Sequence, residues 1–184
     1  MKALKRFWDM VPALILWAML SIFLWGWIFT FLTDTAPENK LTLFVDAAVP
    51  DATGLAVKLE ENALDEIIRM VKVHPFSYAM LNGDPLRRAD LYIVREGNLD
   101  EYTDWFAPLP EGFAAVGQVW EQEGVAMGIK VYDHATGQSA ASAYITYEDP
   151  QYPNEDYYLL FGKASAHLED GLSLPMAMHL LDIH

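Results

Sequence analysis

The five histidines are the first residues to test for chemistry. His74, His134 and His167 share no metal-binding spacing. His179 and His184 stand five apart, off one helical face, whereas zinc sites on helices use a spacing of four. All five read as surface or capping residues. The stretch "YDHATGQS" holds Asp133, His134 and Ser139 close together. A triad needs its members assembled by the fold with the acid holding the base, and neighbours across a turn tip are exposed and badly posed. Carboxylates cluster in "GNLDEYTDWF" and "EDPQYPNED", but Asp100, Glu101 and Asp104 lack the glycine-centred loop of an EF-hand. Gly83, Gly97, Gly112 and Gly117 are too scattered to cradle a phosphate. The absence of cysteine removes disulfides, thiolate metal sites and cysteine nucleophiles together. No catalytic set, metal site or cofactor is assembled from these residues, and the chain reads as no enzyme. A cell-envelope hydrolase would require a deep pocket with carboxylates around His74 or His167.

Charge narrows the partners. Lys2, Lys5 and Arg6 against Asp9 give residues 1–33 a net +2, so residues 34–184 carry −16 of the formal −14. A domain this acidic repels phosphate backbones, which excludes nucleic acid. From Val11 to Leu32 no residue is charged. A helix of that length rises about 33 Å at about 1.5 Å per residue, enough to cross a hydrocarbon core of about 30 Å. Trp8, Trp25 and Trp27 suit the interfaces at its two ends, Trp17 less so, and Pro12 falls where a first helical turn tolerates it.

A cleavable signal has a shorter apolar stretch followed by small residues. Here "TDTAPENK" follows, with Asp34 where a small residue is wanted and Pro37 after the only candidate cut. The segment therefore reads as an uncleaved signal anchor of a single-pass membrane protein. Its basic flank puts residues 1–10 in the cytoplasm, the span at 11–32, a linker at 33–40 and the domain of residues 41–184 outside the cell membrane.

Within that domain, Leu41 to Ala47 reads as a strand, and Pro50 and Asp51 break it. Asp51 or Thr53 can cap the helix in which Leu55, Ala56, Leu59 and Ala63 recur. Ile67 to Val73 returns to strand character, completing β-α-β with two parallel strands. Leu91 to Val94 and "YYLLFGK" (157–163) read as strands covered on both faces. Residues 99–113 read as a short helical turn and a proline-punctuated loop. Alternation at 129–133 and again at 141–147, across "HATGQ", predicts an antiparallel hairpin. "LSLPMAMHLLDIH" predicts a closing helix with Leu174, Met178 and Leu181 on one face. The fold expected is one three-layer α/β domain with a mixed sheet and an antiparallel hairpin behind a transmembrane helix.

The stretches "LTLFVDAAVPDATGLAVKLEENA", "ADLYIVREGNLDEYTDWFAPL" and "GIKVYD…EDYYLLFGKASAHLED" together resemble the extracellular solute-binding proteins of ABC transporters, which have two α/β lobes. The resemblance implies a domain like one such lobe. The chain has half the length two lobes need, and one lobe cannot bury most of a solute.

In open α/β sheets ligands gather at the carboxyl ends of the parallel strands. Those ends offer Asp51, Thr53, Ser77, Tyr78 and Arg95. The function expected is a membrane-anchored extracytoplasmic binding module for a protein partner, in the membrane or outside the cell, or for a small solute. The alternative is an accessory or sensor subunit of a multi-pass complex, using Ser21, Gly26 and Thr30 of the span for helix contacts.

Overall fold

The computed structural model describes residues 2–33, 37–61, 67–75 and 84–183, in two units, Met1–Thr35 and Ala36–His184. The first unit holds a single helix, α1 (Lys2–Thr33). Its stretch Val11–Phe29 has mean hydropathy 2.0 and its apolar side chains are exposed, so it is long and apolar enough to span a membrane. A signal sequence meets the same test of length and composition.

The second unit is a mixed sheet with helices on it. β1 (Lys40–Val45) leads through α2 (Ala52–Glu61) to β2 (Met70–Pro75), which pairs parallel with β1. Asp51 starts α2 by accepting the Gly54 amide at 2.8 Å, an N-cap worth about 1 kcal/mol. The short helix α3 (Asp84–Arg87) precedes β3 (Leu91–Arg95), which returns to the other side of β1, also parallel. The remaining strands are β4 (Phe106–Ala107), β5 (Val119–Gln122), β6 (Val125–Asp133), β7 (Gln138–Ser139) and β8 (Tyr157–Gly162). The main order is β2-β1-β3-β8-β6-β5, antiparallel from β8 onward. The chain ends in α4 (Ser173–Asp182).

Alternation sorts the strands' apolar residues onto two faces. Leu43, Ile93, Leu159 and Phe161 face Leu55 and Leu59 of α2 and Met176, Ala177 and Leu180 of α4. Phe44, Tyr92, Val94 and Leu160 face Leu86 of α3, Leu99 and Tyr102 from the turns after β3, and Phe106 of β4. The sheet is therefore covered on both sides, which is why β3 and β8 read as unbroken apolar runs.

Three local expectations are corrected. Residues 141–147 form no strand: Ala141 sits at φ 53, a left-handed turn, and only Thr146 bridges, to Ala48. The hairpin at "HATGQ" is short, β6 with β7, while the longer one joins β5 to β6 through Glu123 and Gly124, both at positive φ. The buried stripe of α4 is Met176, Ala177 and Leu180, and Met178 is exposed.

Candidate functional site

Because β1 and β3 are parallel neighbours while β2 leaves on the other side, the connections diverge at the carboxyl ends of β1 and β3. Asp46 follows β1, and Arg95 ends β3. Asp46 Oδ2 accepts the Asn98 side-chain amide at 2.7 Å and the Arg95 backbone N–H at 3.3 Å. The Arg95 guanidinium donates from Nη2 to Asn98 Oδ1 at 3.1 Å and lies 3.5 Å from Glu155 Oε2 through Nε. Its Cζ sits 3.4 Å from the Tyr152 ring centroid. Glu155 also accepts the Gly97 amide at 2.9 Å. Arg95 is 11% exposed, and its buried Nη1 has no hydrogen-bond partner among the described residues. Burial raises the Asp46 pKa, and the bonds from Asn98 and Arg95 only partly offset it.

Of the expected site residues, Arg95 belongs to this group. Asp51 caps α2 and Thr53 is exposed in its first turn; among the described residues neither bonds to the group. Ser77 and Tyr78 lie outside the described residues. Asp46, Asn98, Tyr152 and Glu155 escaped sequence reasoning. Asp46 lies inside the apolar run 41–47, and Glu155 lies in the loop "EDPQYPNED", whose spacing names no partner for it. The usable signal was an acid directly after a buried strand.

Farther along the same edge, Asp156 Oδ2 takes the Lys130 ammonium at 2.5 Å, and its Oδ1 takes His134 Nδ1 at 2.7 Å. Asp133, His134 and Asp156 offer ligand atoms within 4.8 Å of one another, the geometry of a cation site. Lys130 already supplies the positive charge there, so these residues serve as a tie between β6 and β8. Ser139 pairs with Tyr132 across the sheet and stands outside this group.

At the opposite end of the strands, a buried polar network closes the fold. Asp90 accepts the Thr42 amide at 2.6 Å and the Ser165 hydroxyl at 2.5 Å. His167, buried, reaches Asp170 Oδ2 from Nδ1 and the Lys40 carbonyl from Nε2, both at 3.0 Å. With acceptors at both nitrogens, the ring is best served as an imidazolium. Burial, the largest single influence, pulls the His167 pKa down, yet Asp170, the Asp90 charge and the Lys40 carbonyl together raise it above 6.5. Its contribution to stability is therefore complete below pH 6.5 and is lost as pH rises through the higher folded value. His74, whose pKa burial and Lys72 lower, acts in the opposite sense. Urea midpoints of the full chain in detergent should fall between pH 6 and 8.5 more steeply than those of H167Q. Equal slopes would remove the imidazolium from the account.

No family model matches the chain, and no curated protein does. Among solved structures it is similar to thiaminase I from Bacillus thiaminolyticus, at 15% identity and a TM-score of 0.35. The match covers 50% of this chain and 28% of that one. The expectation that the chain is no enzyme is corrected here: the structure it matches is an enzyme's, so that expectation does not stand. A likeness this distant transfers no activity in return.

Proposed function

We propose that the chain is a membrane-tethered extracytoplasmic binding domain, like one lobe of a solute-binding protein. Its partner is cationic: a basic segment of a neighbouring membrane or extracellular protein. The tether is α1 retained as a signal anchor, with Lys2, Lys5 and Arg6 on the cytoplasmic side.

The observation that carries the reading is the charge at the carboxyl-end rim. Asp46, Glu96, Asp133, Glu148, Asp149 and Glu155 gather there, and Arg95 and Lys130 are already engaged by carboxylates. An acid about 10 Å from an incoming unit charge contributes about 0.4 kcal/mol in water before screening. Several acting together outweigh one arginine whose charge Glu155 already offsets. An anionic solute is repelled and a cation is drawn in. An open lobe also suits a partner's surface better than a solute that must be enclosed.

The experiment is titration of the full chain in detergent with hexalysine at low salt. E96K/E148K should weaken binding at least tenfold. E111K/E121K, the same charge change placed elsewhere, should weaken it far less. Equal losses in the two variants would reduce the effect to net charge and end the proposal.

A further inference from the structure

The rim is acidic, and the opposite edge carries two exposed cations besides its own acids. Arg87 ends α3, and Lys163 follows β8 directly. Among the described residues neither forms an ion pair, in a part of the chain that carries −16. Both line a cleft of about 340 Å³ together with Asp104, Trp105 and Ala164.

The cleft has a fixed floor. Trp105 packs on Tyr102, with ring centroids 4.9 Å apart, and on Tyr92 at 6.5 Å. Its carbonyl accepts the Lys163 amide at 2.8 Å, which anchors the backbone of the lysine beside the indole. Arg87 Cζ lies 5.8 Å from the centre of the same indole, a cation–π distance that holds the guanidinium over the cleft. Two cations and a half-buried aromatic face therefore converge, with Asp104 beside them.

Three chemistries meet in this lining. The planar fork of Arg87 and the point charge of Lys163 suit phosphate oxygens. The indole face suits the C–H side of a polyol or glycerol unit. Asp104 leaves the lining at only +1, and its carboxylate is an acceptor for hydroxyl groups. The acidic rim does not cancel the attraction. The length of β3, five residues at about 3.3 Å each, sets the two edges about 16 Å apart, roughly two screening lengths at physiological salt.

We infer that the cleft formed by Arg87, Asp104, Trp105 and Lys163 is a binding site for a phosphate ester of a small polyol. Two sources share that chemistry, a free polyol phosphate and the glycerophosphate headgroup of a lipid. The site is independent of the cationic partner proposed for the rim.

Calorimetric titration of the full chain in dodecyl maltoside tests it with inorganic phosphate, glycerol 3-phosphate and glycerophosphoglycerol, the soluble headgroup diester. Glycerol 3-phosphate should bind more tightly than inorganic phosphate. R87Q/K163Q should weaken it at least tenfold, while R69Q/R88Q, the same loss of charge at other exposed arginines, should change it less than twofold. The single variant K163Q gives a second reading of the site should the double variant lose its fold by circular dichroism. Preference for the monoester supports a free polyol phosphate, and equal or tighter binding of the diester supports a lipid headgroup. Absence of heat with both esters, or equal losses in R87Q/K163Q and R69Q/R88Q, overturns the inference.

Discussion

Replacing Gly162 by alanine should unfold the domain or cost it several kcal/mol. Gly162 ends β8, where its amide donates to the Asp90 carbonyl at 2.9 Å and Phe106 pairs beside it. A Cβ built there overlaps the Ala89 carbonyl oxygen and comes within 3.1 Å of Tyr92 Cε2. Both obstacles are rigid: one is backbone, and the other is the ring of a fully buried residue whose hydroxyl is held at 2.5 Å on the Leu86 carbonyl. Relief would require β3 and β8 to separate in the middle of the sheet, and overpacking of this kind typically costs about 1–3 kcal/mol or more. Urea unfolding of the full chain in detergent, with G26A in α1 as control, measures it. Among the described residues nothing lies within 4 Å of a Cβ at Gly26, so that variant should behave as wild type. A G162A midpoint matching wild type would contradict the close approach of Ala89 to β8.

The second large effect is expected at Arg95. Truncation to alanine removes the cation whose charge acts on both Asp46 and Glu155, the hydrogen bond to Asn98 and the stacking on Tyr152. The repulsion between the two carboxylates is then uncompensated, and the pKa of Asp46 is already raised by burial. Breaking a buried pair by removing one partner typically costs about 3–5 kcal/mol. Glu155 is 28% exposed, so about 2–3 kcal/mol is the expected loss here. R95A/E155Q should recover part of it, because the uncompensated charge is gone. If R95A and R95A/E155Q unfold at the same urea concentration, the pair contributes nothing beyond packing.

Local pattern carried much of the fold. A polar break at Pro50 and Asp51, followed by leucines at helical spacing, was enough to place α2 between two parallel strands. Continuous apolar runs marked β3 and β8 as covered on both faces. The alternation at 141–147 misled because Ala141 and Ile145 are buried by packing against the core while the backbone turns, with the Ile145 amide bonding to the Ala141 carbonyl at 2.9 Å. Period two reports burial on one side and not extended backbone as such. In α4, Met178 is as apolar as Met176, and only the position of the sheet decides which of them is covered.

Chain-local chemistry alone determined the apolar helix that includes Val11–Phe29 and the β-α-β unit, since hydropathy and spacing act within a few residues of one another. Tertiary structure alone decided the composition of both polar edges. Asp46 meets Asn98 from 52 positions away, and Gly97 meets Glu155 from 58. Such pairs depend on which strands become neighbours and in what register, and that choice follows from burying both faces of the sheet at once. A carboxylate in a loop carries no mark of the arginine it will face until the strands beneath it have paired.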